Sequence, residues 1–172
     1  MSHSSGSERR PFSETYATLE SLHALSTVWN ASPPMERLGA RLAFQRVDRV
    51  RAVLDPVQGY HRGGIGTDAV NGAVLAGLFD LVIGTVGWLS RPDARSATVS
   101  LSMLFLRPTR GDLVVAEARL LRAGMNLMFA AAEISGEDGA VTARCDGTVA
   151  LARGKTTGED FSERMRGKEV ES

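Results

Sequence analysis

Apolar residues are most concentrated between Val70 and Leu89, where the stretch VNGAVLAGLFDLVIGTVGWL contains one charged residue, Asp80. Its length and continuity are typical of a membrane span or of a helix buried inside a domain. A span would place Asp80 near the bilayer centre, which costs about 2.5 to 3.5 kcal/mol, and no basic cluster lies close to either end. The pattern therefore favours a buried central helix over residues 71–89 of a soluble domain.

The two faces of this helix differ in side-chain size. With successive residues about 100° apart, small residues surround Asp80 and bulky ones lie opposite it. The small residues are Ala73, Ala76, Gly77, Gly84 and Gly87, and the bulky ones are Val74, Leu75, Leu78 and Val82. We expect the bulky face to pack on a sheet and the small face to let another backbone or a slender ligand approach Asp80.

The remaining pattern predicts one further helix and six strands. Apolar residues at helical spacing indicate a helix over residues 13–30, with Ser13 as its N-cap. Two short strands, at residues 37–45 and 49–57, precede a loop with five glycines from Gly59 to Gly72. After the central helix, alternating residues predict a strand at 97–105, and runs separated by turn signals predict three more, at 113–121, 127–135 and 140–152. The short turns between these strands require antiparallel pairing.

These elements predict a single α+β domain over residues 13–153, in which an antiparallel sheet of about six strands packs on one long apolar helix. Residues 1–12 are expected to be a disordered N-terminus, and residues 154–172 a polar C-terminal tail. One sheet has few ways to cover its remaining face and its edges. The pattern therefore favours a homodimer.

Composition and charge narrow the classes of partner. Twenty basic and twenty acidic residues give a formal net charge of +0, which argues against nucleic acid or a membrane surface as the main partner. The single Cys145 suits a reducing cytoplasm, and the polar start of the chain shows no secretory signal. One cysteine and three scattered histidines give no metal-ligand spacing, so no metal is expected. We therefore expect a cytoplasmic protein.

The order of two strands, a glycine loop, a long helix and four strands resembles the hotdog-fold thioesterases, of the hydroxybenzoyl-CoA and phenylacetate-pathway type. The resemblance covers roughly residues 38–152. Its most specific part is NGAVLAGLFD, where the family has His-Gly-Gly, apolar residues and then Asp. The segments VSLSMLFLRPTRGD, LLRAGMNLMFAAAEIS and ARCDGTVAL resemble the family's following strands and turns. The resemblance implies the hotdog fold, and the predicted helix over residues 13–30 would be an addition to it at the N-terminal side.

The resemblance also implies an activity, the hydrolysis of acyl-CoA thioesters. By position, Asp80 would be the general base or nucleophile, and the backbone N–H of Gly72 would polarise the thioester carbonyl. Thr98 falls where the family often has a hydroxyl residue, although it also fits an ordinary strand threonine. Asn71 replaces the family's histidine, where it can cap the helix or bind a carbonyl. No cofactor is implied, because coenzyme A is part of the substrate.

Helix geometry bears on where this site would be. Eight residues at about 1.5 Å each separate Gly72 from Asp80 by roughly 12 Å, too far for both to reach one thioester carbon. The two residues would then come from different subunits of a homodimer, with Gly77 in the small stripe giving room for the substrate. Pairing of dimers into a homotetramer stays open. For the phosphates of coenzyme A, the candidates are Arg107, Arg110 and Arg122, with Arg153 and Lys155; each also fits a solvated surface residue.

Two departures from the family pattern leave alternatives open. Asn71 stands for the histidine, and Ile65 falls where many members have a polar residue, which motivates a non-catalytic acyl-CoA-binding protein as the second hypothesis. His61 and Asp68, in the same loop, are candidates for the missing polar group or plain loop residues. A hotdog hydratase is disfavoured, because no histidine follows Asp80 within the helix.

Overall fold

The computed structural model describes residues 18–63, 67–92 and 94–155. Residues 152–155 are described by their backbone alone. The elements in chain order are α1 (Leu19–Asn30), α2 (Pro33–Leu38), β1 (Arg41–Arg46), β2 (Arg49–Leu54), α3 (Gly72–Leu89), β3 (Ala94–Phe105), β4 (Val114–Ala123), β5 (Leu127–Ser135) and β6 (Val141–Lys155). The predictions for residues 1–12 and for most of the tail lie outside the described residues. Residues 154 and 155, predicted to begin the tail, instead continue β6.

The six strands form one antiparallel sheet in the order β1-β2-β4-β5-β6-β3. The predicted α+β class, the number of strands and the antiparallel pairing are confirmed. β1 and β3 are the two edge strands. The N-terminal helix α1 covers β1, where the side chain of Asn30 bonds both the N–H and the carbonyl of Leu42, at 2.8 and 3.0 Å. β3 forms the opposite edge.

The central helix α3 packs its bulky face on the sheet, as its sequence predicts. Its fully buried side chains are Leu78, Phe79, Val82, Ile83, Val86 and Leu89. The helix is long and apolar enough to cross a membrane by composition, but these side chains are buried in the core of the domain. One residue of the small face differs from expectation. Gly87 is buried, and a Cβ there would lie 2.8 Å from Val149, so this glycine lets α3 approach β6 closely.

The start of the chain corrects two predictions. The N-cap of α1 is Thr18, whose extended backbone and side chain, accepting from the N–H of Ser21, start the helix at Leu19. The helix therefore begins later than predicted, and Ser13, the predicted N-cap, lies outside the described residues. Pro33 and Pro34 were predicted to break the chain between elements, but they occupy the first turn of α2. Proline is suited to this turn, because a backbone N–H there would have no acceptor within the helix. The first strand therefore begins at residue 41, four residues later than predicted.

Candidate functional site

Asn71 is the N-cap of α3 and determines which N–H groups remain available there. Its side-chain oxygen accepts from the N–H of Ala73 at 2.8 Å, and its main-chain oxygen accepts from Val74 and Leu75. Its own N–H donates to the carbonyl of His61 at 2.9 Å. Among the described residues, the N–H of Gly72 is thus the first-turn donor without an acceptor. The helix start presents one free donor, at the residue that the sequence singled out.

Asp80 lies on the open face of α3, where its side chain is exposed in the single chain. It borders a groove of about 480 Å³ between α3, the first residues of β3 and the C-terminal end of α1. Thr98 of β3 lines the same groove, so the structure brings these two predicted residues together. The sequence suggests a carboxylate shielded by an apolar groove, but within one chain the carboxylate of Asp80 faces solvent.

Small residues keep the face around Asp80 open. Nothing lies within 4 Å of a Cβ built on Gly77, so the predicted room for a ligand exists at this position. A Cβ on Gly84 would lie 3.1 Å from the hydroxyl oxygen of Thr98, which places β3 directly against the helix. The glycines therefore leave a shallow depression between the helix and the edge strand.

Gly72 and Asp80 remain separate within one chain. They lie eight residues apart along α3, roughly 12 Å at the rise of an α-helix. A Cβ on Gly72 would lie 3.9 Å from the ring of Phe105, at the end of β3, whereas Asp80 shares its groove with the start of that strand. Within one chain, the two candidate residues therefore lie apart along the same helix.

Edge strand β3 lies beside both Gly72 and the groove of Asp80. It pairs with β6 on one side, and its other side has no strand partner among the described residues. Large apolar side chains stand exposed along it and just beyond it: Val99, Met103, Leu104, Phe105 and Leu106. An edge strand of twelve residues with exposed apolar side chains is a surface suited to pairing with another chain.

Arg107 and Arg110 lie in the turn before β4, near the start of α3, and each contacts a carboxylate of the chain. Arg107 pairs with Asp138 at 3.2 Å, and Arg110 pairs with Asp68 at 2.7 Å. The hydrogen bond from Arg110 lowers the pKa of the Asp68 carboxyl, although burial opposes the shift. Asp68 is therefore an ion-pair partner at the surface, and both arginines would have to exchange these partners to bind a phosphate.

The other basic candidates lie elsewhere. Arg122 is exposed near the end of β4, about 26 Å along the strand from its start, so one chain does not bring it together with Arg107 and Arg110. It forms no ion pair with any residue that the structure describes. Lys155 ends β6, but its side chain and that of Arg153 lie outside the described residues, as does Ile65.

His61 has a structural role in the described chain. It is 1% exposed, its Nδ1 accepts from the N–H of Gln58 at 2.9 Å, and its Nε2 lies 2.8 Å from the carbonyl oxygen of Leu38. The backbone N–H of Gln58 can only donate and the carbonyl of Leu38 can only accept, so the ring proton of His61 is on Nε2. This histidine ties the glycine loop to the end of α2 and does not reach Asp80's groove.

Sequence reasoning missed two residues of the groove, Trp29 and Trp88. Trp29 lies next to the last residue of α1, and Trp88 lies next to the last residue of α3. Their ring centroids are 5.9 Å apart, and both side chains line the groove beside Asp80. Trp88 follows Asp80 by eight residues in α3, a spacing that places both on the same side of the helix, so the sequence alone could have predicted that Trp88 lies near Asp80's groove. Trp29 gave none, because only the tertiary packing of α1 brings it there.

Comparison with known proteins points to one family. The model of the thioesterase superfamily matches residues 68–143, a segment that includes Gly72, Asp80 and Thr98. Among curated protein sequences, none matches this chain.

Solved structures share the fold at low sequence identity. A thioesterase from Haemophilus influenzae is 22% identical, with a TM-score of 0.64 over 78% of this chain and 90% of its own. The E. coli PaaI protein from the phenylacetic acid degradation operon is 17% identical, with a TM-score of 0.69 over 81% of this chain and 100% of its own. Zebra fish thioesterase superfamily member 2 is 20% identical, with a TM-score of 0.66 over 76% of this chain and 98% of its own.

The family match lies within residues 38–152, the range of the sequence resemblance, and includes its most specific part, NGAVLAGLFD. The similar structures share the fold of one sheet packed on one long helix. The resemblance to the hotdog-fold thioesterase superfamily is therefore confirmed, in the fold of the chain and in the segment from residue 68 to residue 143.

Proposed function

We propose that this chain hydrolyses acyl-CoA thioesters at sites shared between two copies of itself. One observation carries the proposal: α3 presents a free N–H at Gly72 and an exposed carboxylate at Asp80 on the same face, roughly 12 Å apart. Each is half of a thioester hydrolysis site, because one stabilises an oxyanion and the other provides a base or nucleophile. A second copy related by a two-fold axis supplies the missing half to each.

The chemistry needs only water and the substrate. As general base, the carboxylate of Asp80 takes a proton from a water molecule while the water oxygen bonds to the thioester carbon. The N–H of Gly72 of the partner subunit donates to the carbonyl oxygen as its negative charge grows. The C–S bond then breaks, the carbonyl reforms, and the sulfur leaves with a proton as the thiol of coenzyme A. As nucleophile, Asp80 would instead form an anhydride that water hydrolyses to the same two products.

The dimer would form along β3. Antiparallel pairing of this edge with its copy would cover the exposed Met103 and Phe105 and would run the two α3 helices past each other in opposite directions. That arrangement places the start of each helix opposite the middle of the other. It would also shield Asp80 from solvent, as the sequence suggests. Further pairing into a homotetramer is compatible with this dimer.

The other predicted residues have supporting roles in this proposal. The hydroxyl of Thr98, in the groove of Asp80, would orient the attacking water, and Gly77 leaves room for the thioester. Asn71 would act as a positioning residue, because its cap keeps the N–H of Gly72 free. Arg107 and Arg110 near the start of α3, with Arg122 near the end of β4, would bind the phosphates of coenzyme A. The reaction would take place in the cytoplasm.

A panel of acyl-CoA thioesters tests the proposal through release of free thiol. Wild type should hydrolyse at least one class, and Asp80→Asn should lower kcat by roughly 10²- to 10⁴-fold. Asp48→Asn is the matched control, because Asp48 is a surface carboxylate in the β1–β2 turn, paired with Arg46 at 3.0 Å. An Asp80→Asn variant that hydrolyses as fast as wild type would overturn the assignment.

Non-catalytic binding of acyl-CoA is the second candidate function. The side-chain oxygen of Asn71 is committed to the helix cap, so the family's histidine has no direct replacement there. Calorimetric titration of the same panel separates the candidates. Saturable binding of CoA esters without release of thiol favours the binding protein, whereas turnover excludes it.

A further inference from the structure

Both tryptophans of the chain lie at one end of the groove that begins at Asp80. The sequence holds two tryptophans in all, Trp29 and Trp88. Their rings meet at 58° with centroids 5.9 Å apart, and Trp29 also packs on Phe44 at 6.4 Å. Ring packing on both sides holds Trp29 in place. The groove is therefore bounded at this end by a fixed aromatic wall, contributed by α1 as well as by the central helix.

The groove has a direction along the helix. Asp80, Gly84 and Trp88 follow one another at intervals of four residues, so they form a row roughly 12 Å long on the open face of α3. The row begins with a carboxylate, continues over a residue without a side chain, and ends on an indole ring. A ligand that lies along it with its reacting carbon at Asp80 would extend an apolar group toward the tryptophans.

We propose that the Trp29–Trp88 pair closes an acyl site that starts at Asp80, and that this pair limits the length of the acyl chain the protein accepts. The proposal rests on the proposed thioester chemistry, which fixes the carbonyl carbon at Asp80. The ligand is the apolar acyl group of a CoA thioester, because the wall is aromatic and Gly84 leaves the floor between Asp80 and the wall without a side chain. Arg95 also lines the groove, where its side chain is exposed on β3. Chains that end before the rings fit, and longer ones collide with Trp29.

Tryptophan fluorescence tests the placement without requiring turnover. Thioether analogues of acyl-CoA, which cannot be hydrolysed, would be titrated as a series from acetyl to palmitoyl length, with free coenzyme A as the reference. Since Trp29 and Trp88 are the only indoles, any change in emission comes from this wall. We expect no change with free coenzyme A and a growing change as the chain approaches the rings. Analogues that bind by calorimetry but leave the emission constant would overturn the proposal, as would a series in which none binds.

One substitution in the wall and one on the floor before it test the effect of the wall on chain length. Trp29→Ala should open the groove and raise kcat/KM for palmitoyl-CoA relative to butyryl-CoA at least tenfold. Gly84→Leu should fill the floor and shorten the longest chain accepted, because a Cβ there lies close to Thr98. Val28→Ala, at an exposed neighbour on α1, should leave the profile unchanged.

The variants also separate the possible failures. If Trp29→Ala unfolds, as thermal unfolding would show, Trp29→Phe and Gly84→Leu carry the test, and an unchanged chain-length profile in the folded variants overturns the proposal. If wild type releases no thiol from any ester, the proposed hydrolysis fails, and the profile is then taken from the Kd values of the analogues in the same variants. If the variants remain active and their chain-length profile is unchanged, the proposed hydrolysis stands and the proposed role of the Trp29–Trp88 pair is overturned.

Discussion

The side-chain oxygen of Asn71 accepts a hydrogen bond from the N–H of Ala73 at 2.8 Å, and this cap skips Gly72. The donors on either side of Gly72 are both bonded, the N–H of Ala73 by this cap and the N–H of Asn71 by the carbonyl of His61 at 2.9 Å. Within the described residues, Gly72 therefore offers the free N–H of this helix start. A residue that looks like a departure from the family pattern thus keeps one donor available.

Replacing that donor without breaking the helix is possible, because Gly72 is the first residue of α3. Proline is well tolerated at this position, and Asn71 has φ −61° and ψ 135°, a conformation that the residue before proline adopts readily. Gly72→Pro should fold normally and lower kcat by about 10²- to 10³-fold through loss of one oxyanion donor. Steady-state thiol release measures this.

Gly72→Ala is the control, because it keeps the N–H and its Cβ would lie 3.9 Å from Phe105, an ordinary contact. It should retain most of the activity. Equal rates for Gly72→Pro and Gly72→Ala would show that the N–H takes no part in hydrolysis.

Local signals made much of the fold predictable. The strand β5 was predicted at residues 127–135, the bounds that the structure has, because turn signals at Gly124 and at GEDG, residues 136–139, enclose it on both sides. The central helix was predicted within one residue, since its N-cap is visible as Asn71. α2 was missed because Pro33 and Pro34 break a helix in its interior but start one at its first turn.

The site was predictable only where it lies on one element. Gly72 and Asp80 belong to the same helix, so their spacing could be read from the sequence. The arrangement of Trp29 beside Trp88 depends on how α1 packs, which no local pattern specifies. The ion pairs of Arg107 and Arg110 likewise connect residues about 30 to 40 positions apart in sequence, and such pairs leave no periodic signal.

Loss of His61 should destabilise the protein, because this buried side chain bonds two backbone groups. His61→Leu would leave the N–H of Gln58 and the carbonyl of Leu38 without their partner, at about 2 to 4 kcal/mol in the free energy of unfolding. Urea unfolding measures the loss. His23→Ala, an exposed position on α1, should stay within about 0.5 kcal/mol of wild type. A similar small effect for His61→Leu would contradict the structural role.

Cys145 should react slowly with alkylating reagents in the folded protein. Burial, with a smaller effect from Asp146, raises the pKa of its thiol from 9.0 to about 11. Since the thiolate is the reactive form, at pH 8 its fraction falls about a hundredfold below that of the unfolded chain. Iodoacetamide labelling followed by mass spectrometry should show this ratio, and the folded rate should rise with pH up to about 11. A folded rate equal to that in urea would show that the thiol is neither buried nor raised in pKa.

Mixing two inactive variants tests whether the site is shared between subunits. If Gly72 of one chain serves Asp80 of the other, a heterodimer of Gly72→Pro and Asp80→Asn has one site with both defects and one intact site. Random pairing of equal amounts after refolding together should then restore about a quarter of wild-type activity, since half the dimers are mixed and half their sites are intact. Each variant refolded alone is the control and should stay inactive. If both residues acted within one chain, no intact site would form, and a mixture no more active than its parts would rule out the shared site.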